Sequence, residues 1–247
     1  IRSRYGLGEN RIRVIHRGVD VRDFDPAAVG AERGPALRRH WQLGEGERVV
    51  LQAARLTGWK GQSVLIDAAG MLRDQGRLDK AVIVLAGDAQ GRSGYVGALQ
   101  RQIADLGLGD RVRLVGHCDD MPAAFALAHV AIVASTEPEA FGRTAAEAQA
   151  MACPVIATAI GAPPETVLAE PMVGADEITG WLVPGKDAAA LAGRIADALE
   201  LGDSARVRLG ARARAHAVHN FSLVAMQRAT LSVYDELLGS SLNASFA

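Results

Sequence analysis

The sequence predicts a doubly wound α/β fold: a parallel, Rossmann-like sheet with helices on both faces. Two observations carry this. Short apolar runs recur along the 247 residues and are continuous rather than alternating, so they read as strands buried on both faces. Segments with helical spacing lie between them, so strand and helix alternate through most of the chain. Hydrophobic residues make up 49% of the composition, enough for a substantial core.

The elements follow in order. Ile12–Ile15 is apolar enough to predict a first strand, and Gly18–Pro35, rich in Asp, Gly and Pro, reads as a long loop. Val49–Ala53 predicts a strand, followed by a helix over Gly61–Gln75 with Val64, Leu65, Ala68, Ala69 and Leu72 on one face. Ala81–Ala86 and Val112–Val115 are further strands, each followed by a helix, Gly94–Leu106 and Met121–Ala128. Asp119 or Asp120 is placed to cap the second of these helices. Val130–Ala134, Val155–Ala157 and Trp181–Val183 complete the strands, with a helix over Arg143–Ala152 after the first of them. Three helices close the chain, Ala188–Leu201, Ser204–His219 and Leu223–Leu238, with Asp187 and Ser222 as N-caps of the first and third. No strand separates these three, so they are expected to pack on one flank.

Charge and composition exclude several classes. A formal net charge of -1 excludes a strongly basic nucleic-acid footprint and a polybasic membrane patch. The two cysteines, Cys118 and Cys153, are too few for a disulfide framework or a four-cysteine zinc site. The longest uncharged stretches, Met121 to Thr136 and Ala148 to Pro164, contain proline and polar groups and predict no transmembrane segment. The first residues lack a signal-peptide pattern, and Ile1 in place of Met suggests a piece of something larger.

In such sheets ligands bind beyond the carboxyl ends of the strands, so chemistry is expected in the turns. The turn from Arg55 to Gly61 carries two cations, Arg55 and Lys60, ahead of a helix start that favours anions. It suits a diphosphate, and equally two solvated basic residues. It is not a Walker A loop. The turn at Gly87-Asp88 is not G-x-G-x-x-G, which disfavours a nicotinamide dehydrogenase, and by itself it reads as a plain turn. Gly116-His117-Cys118 could hold a flat base by backbone contacts. There Cys118 reads as a small buried residue rather than a nucleophile, and His117, with no evident Asp or Ser partner in sequence, is not read as catalytic. Finally, Glu139 and Glu147 stand eight apart around a helix start near Gly142. Two carboxylates beside bare N–H groups suit a sugar, a diphosphate and a ribose in a row. They also suit an acid at a helix N-terminus plus an exposed helical Glu.

The run from Glu139 to Glu147, with Phe141, Gly142, Arg143 and Thr144 inside it, resembles the paired-glutamate motif of family-4 retaining glycosyltransferases of the GT-B fold. Further segments resemble that family in the same order: Val14 to Asp20 with Phe24 and Pro26; Arg55 with Lys60; Ala86-Gly87-Asp88; Val115-Gly116; Pro154 to Thr158 with Gly161, Glu165 and Thr166; and Gly180 to Val183. Arg17, Arg143 and Ala152 depart from it, standing where Asn, an aliphatic residue and Gly are usual.

The resemblance implies the C-terminal, donor-binding half of a GT-B enzyme. Residues 10–222 would form the nucleotide-sugar domain, and 223–247 a helix and tail packing on an N-terminal acceptor domain. It implies that Glu147 holds the ribose and Glu139 the transferred sugar, that Arg55 and Lys60 neutralise the diphosphate, and that Gly142, Arg143 and Thr144 add backbone donors, with Phe141 beside them. The base would lie near Gly116, His117 and Cys118. No metal or cofactor is expected, because the cations and a helix dipole can stabilise the leaving diphosphate. Asp23-Phe24-Asp25 has D-x-D spacing but reads as turn chemistry. The expected setting is bacterial cell-surface polysaccharide or lipopolysaccharide synthesis, in the cytoplasm, with inner-membrane contact through the acceptor domain. The alternatives are a non-catalytic nucleotide-sugar binding module, or a phosphorylase or epimerase on the same fold.

Overall fold

The computed structural model describes residues 5, 6, 8 and 11–246. In chain order the elements are α1 (Arg33–His40), β1 (Arg48–Ala53), α2 (Gln62–Asp74), β2 (Ala81–Ala86), α3 (Ser93–Asp105), β3 (Val112–Gly116), α4 (Met121–Leu127) and β4 (Ala128–Val133). There follow α5 (Arg143–Ala150), β5 (Val155–Thr158), the short α6 (Pro163–Thr166), β6 (Gly180–Val183), α7 (Ala188–Glu200), α8 (Asp203–Phe221), α9 (Leu223–Leu238) and the short α10 (Leu242–Ser245). The predicted α/β class is the one observed.

All strand pairs are parallel, and the sheet order is β3-β2-β1-β4-β5-β6. Strand order reverses between β1 and β4, which opens a crevice at their carboxyl ends. Each strand feeds both faces because successive side chains alternate. Val50, Ile83, Ile132 and Ile156 join Leu65, Leu72, Leu99, Leu191 and Ile195 on one face, under α2, α3 and α7. Val49, Leu51, Val82, Val84 and Ala131 join Phe125, Ala145 and Ala148 on the other, under α4 and α5. Two-sided burial is what continuous apolar strands require.

The predicted caps hold. Asp120, Asp187 and Ser222 accept from the backbone N–H of Ala123, Ala190 and Ala225 at 3.0, 2.9 and 3.1 Å. Asp120 also takes both arms of Arg33, at 2.5 and 2.8 Å, tying α1 to the turn after β3.

Three expectations are corrected. Ile12–Ile15 forms no strand; the segment is irregular, Val14 is 73% exposed, and Arg13 pairs with Glu236 of α9 at 2.9 Å. Apolar character alone does not supply a neighbouring strand. The Gly18–Pro35 segment is not all loop. Asp25 caps a 3-10 turn at Pro26–Ala28, and α1 begins at Arg33 with Pro35 in its first turn, where proline's missing N–H costs nothing. The three closing helices do not share a flank: α7 packs on α2, whereas α8 packs on α5 across the sheet. The helix α9 buries no residue, and Tyr234, Leu237 and Leu238 on it are 51, 73 and 70% exposed. No helix among the described residues is long and apolar enough to cross a membrane.

Ala152, at the end of α5, has φ of 53°. A left-handed backbone crowds the Cβ of any residue but glycine, at roughly 1 kcal/mol. Ala152→Gly should therefore stabilise the chain by up to about 0.5 kcal/mol after the glycine's extra unfolded-state entropy, about 0.4–1 kcal/mol, is discounted. A thermal melt of the variant checks this; a lower midpoint would contradict it.

Candidate functional site: the crevice between β1 and β4

The turn after β1 is held from beneath by two buried glutamines. The Gln52 amide nitrogen donates to the Lys60 carbonyl at 2.6 Å, and that of Gln62 donates to the Arg55 carbonyl at 2.9 Å. Tyr95 in turn donates its hydroxyl to Gln62 Oε1 at 3.1 Å. The turn closes on Gly61, whose φ is 73° and where a Cβ would meet the Ala134 carbonyl oxygen at 1.8 Å. Only glycine allows the turns after β1 and β4 to approach so closely. Of the two cations presented, Arg55 is exposed and has no ion-pair partner among the described residues. Lys60 sits over the Trp59 ring at 4.2 Å and is paired with Glu139.

The turn after β4 carries the paired glutamates. The Glu139 side chain is only 10% exposed, and its Oε1 takes both the Lys60 ammonium and the Ser135 hydroxyl, the latter at 2.5 Å. Thr158 donates to the Ser135 carbonyl at 2.8 Å, and Glu139 bridges Gly161 through its backbone. The carboxylate is thus fixed by both its own turn and the next one. Gly142, with φ of 75°, then starts α5 without a side-chain cap. Among the described residues the N–H groups of Arg143 and Thr144 donate to no protein acceptor, so the positive end of α5 faces the crevice bare. Thr144 donates its hydroxyl to the Ala53 carbonyl at 3.2 Å. One turn on, Glu147 is 13% exposed and accepts from Arg143 Nε at 2.7 Å. Burial pushes the Glu147 carboxyl above its ordinary range, and the neighbouring Arg143 charge does not cancel that.

The turns after β2 and β3 complete the wall. Gly87 is again a close approach: a Cβ there would lie 1.9 Å from the Ala54 carbonyl oxygen. This turn, read from sequence as plain, is thus packed directly against the turn after β1. A cleft of ≈ 280 Å³ runs between Arg55, Gly87, Asp88, His117, Cys118, Thr144 and Glu147. Burial pushes the Cys118 thiol up, in keeping with a packing residue rather than a nucleophile. His117 does have a partner, contrary to the sequence reading: its Nε2 lies 3.0 Å from Asp119 Oδ1, both well exposed. The arrangement thus brings Arg55, His117, Cys118, Thr144 and Glu147 to one cleft. Lys60 lies in a smaller adjoining cavity with Ser135 and Thr144.

Not all expected site residues line the first cleft: Arg143 lines a second cleft that shares Glu147, and Glu139 and Gly142 lie beside the first cleft rather than in its lining. Phe141 and Gly116 also stand apart. The Phe141 ring is buried against Phe221 at 5.8 Å and His16 at 6.3 Å, so only its backbone can reach a ligand. Gly116 lines no cleft; its carbonyl accepts from Gly87 N–H at 2.7 Å. Asp25 spends its carboxylate on the Ala27 N–H and on Arg214, both at 3.0 Å, as turn chemistry requires.

A row of one free cation, a bare helix start and two buried carboxylates can bind a chain of anion and polyol groups. Comparison with known proteins gives this chemistry a family. A profile for glycosyl transferases group 1 matches residues 35–216. The chain belongs to the group 1 glycosyltransferases.

D-inositol 3-phosphate glycosyltransferase of Salinispora tropica is 35% identical over 241 residues, 95% of this chain and 48% of that protein. A glycosyltransferase from Rickettsia africae superposes with a TM-score of 0.87 at 32% identity, over 96% of this chain and 60% of its own. HepE from Anabaena, solved with UDP and glucose, gives a TM-score of 0.77 at 30% identity, over 97% of this chain and 60% of its own. This group 1 glycosyltransferase chain therefore spans about half the length of the curated relatives it matches. Its matched structures are GT-B glycosyltransferases, in agreement with the expected fold.

Sequence reasoning missed Gln52, Gln62 and Ser135. Gln52 alone carried a signal, as a lone polar residue inside an apolar run; Gln62 and Ser135 stand among other polar residues and carried none.

Proposed function

We propose that this chain is the donor half of a glycosyltransferase that moves a sugar from a nucleoside diphosphate sugar to an acceptor. The observation that carries this is the pair of buried carboxylates, Glu139 and Glu147, flanking the uncapped start of α5, with Arg55 across the cleft. Glu147 accepts both hydroxyls of the ribose, and Glu139 those of the sugar. The diphosphate lies between them on the N–H groups of Arg143 and Thr144, the kind of anion site a helix start provides. Breaking the sugar–phosphate bond builds charge on the diphosphate, and donors already aimed there stabilise it without reorganising. His117 and Cys118 bound the far end, where the base is placed. Arg55, Lys60 and the helix dipole supply the positive charge, so no divalent metal takes part.

The cleft speaks to the donor. For the acceptor, relatives at 35% identity favour a phosphorylated inositol over cell-surface polysaccharide or lipopolysaccharide. An N-terminal acceptor domain is proposed to cover the exposed apolar side chains of α9, and the reaction is placed in the cytoplasm.

Calorimetric titration with UDP, GDP and ADP and their sugar derivatives tests this reading. At least one pair should bind, with the same affinity in EDTA. Loss of binding on chelation, restored by magnesium or manganese, would overturn the electrostatic account; no binding by any nucleotide would overturn the donor site.

A further inference from the structure

The most buried carboxylate of the crevice is paired with a lysine before any ligand arrives. Lys60 and Glu139 are 17 and 10% exposed and in direct contact. Both Lys60 and Ser135 reach the same oxygen, Oε1, while no hydrogen bond among the described residues reaches Oε2. Ser135 is fully buried, and Thr158 donates to its carbonyl at 2.8 Å, so its backbone is anchored independently of Lys60. Lys60, by contrast, has a flexible stem over the Trp59 ring and lines the cavity adjoining the cleft, which shares Ala53, Ala54 and Thr144 with it.

We propose that the Lys60–Glu139 pair, braced by Ser135, makes this site prefer the sugar-loaded donor to the spent nucleoside diphosphate. The inference rests on the donor reading above. A diphosphate entering the cleft competes with Glu139 for the Lys60 ammonium. If Lys60 turns to the phosphates, Glu139 is left buried with Ser135 as its only partner, and an unpaired buried carboxylate is unfavourable. A loaded donor repairs this: its sugar hydroxyls donate to the carboxylate, with Oε2 open to them. A nucleoside diphosphate carries no transferable sugar beyond its phosphates and leaves the deficit standing. The same contact that binds the substrate thereby weakens the product. Ser135 acts as a positioning residue, holding Oε1 so that the carboxylate keeps its direction after Lys60 leaves.

The test compares affinities within matched pairs, UDP against UDP-glucose, GDP against GDP-mannose and ADP against ADP-glucose, for the chain and two variants. Glu139→Gln removes the charge that competes for Lys60. It should bind the nucleoside diphosphate about tenfold more tightly and the loaded donor about tenfold more weakly, the scale of one charged hydrogen bond. Ser135→Ala should weaken the nucleoside diphosphate more than the loaded donor, because Glu139 then keeps no partner once Lys60 turns to the phosphates; a purely structural loss would weaken both alike. Unchanged or weaker nucleoside diphosphate binding in Glu139→Gln would overturn the proposal. So would an unchanged affinity ratio in Ser135→Ala, which keeps the test alive should the Gln variant fail to fold. Absence of binding to any pair by the unmodified chain would remove the donor reading itself, a failure distinct from an unchanged ratio.

Discussion

The 247-residue chain should bind a nucleoside diphosphate sugar and transfer no sugar from it. The residues lining the cleft come from the ends of β1 and β2, from the turns after β1, β2 and β3, from the start of α4 and from the first two turns of α5, so they build one wall. The chain spans 48% of the length of the Salinispora tropica relative. Transfer requires an acceptor held at attack distance, and that positioning supplies roughly 7–11 kcal/mol of a barrier. Losing even about 7 kcal/mol slows a reaction about 10^5-fold. Incubation with the bound donor and an acceptor panel that includes inositol 3-phosphate should release nucleoside diphosphate only at the rate of spontaneous hydrolysis. Rapid acceptor-dependent release by this chain would show that the active site is completed within it.

The parts of the fold that follow from local chemistry were legible in the sequence. Val49–Ala53 and Ala81–Ala86 are buried on both faces, so their apolar character is unbroken, and Asp187 and Ser222 mark helix starts by a side-chain hydrogen bond that needs no distant partner. The parts that depend on distant neighbours were not. Ile12–Ile15 looks like a strand, but nothing in its composition says whether a strand lies beside it. The flank chosen by α8 depends on α5, sixty residues earlier. In the site, Glu139 and Glu147 could be read because both belong to one turn and one helix. The contacts that orient them could not: Lys60 is 79 positions from Glu139, and Gln52 and Gln62 act on carbonyls of a turn whose shape the sequence does not show. The His117–Asp119 pair lies within reach of inspection, yet two-residue spacing brings side chains together only in some turn geometries.

The central claim is that Glu147 receives the donor ribose, and its variants separate binding from folding. Glu147→Ala removes charged hydrogen bonds worth about 1.5–3 kcal/mol, so nucleoside diphosphate affinity should fall roughly 10- to 150-fold. The apo fold should not suffer in step. Burial raises the Glu147 carboxyl pKa in the folded chain, so its ionised form is disfavoured there relative to the unfolded chain. That penalty is present at pH above the raised value and is relieved as pH falls through it. Glu147→Gln should therefore melt no lower than the unmodified chain at pH 7, while still losing affinity, because an amide offers one acceptor oxygen where the carboxylate offers two. The decisive measurement is calorimetric titration of nucleoside diphosphate into the chain and into both variants, paired with thermal melts. Weakened binding with an undiminished melting temperature in Glu147→Gln is the result this account predicts. Unchanged affinity in Glu147→Ala would contradict it.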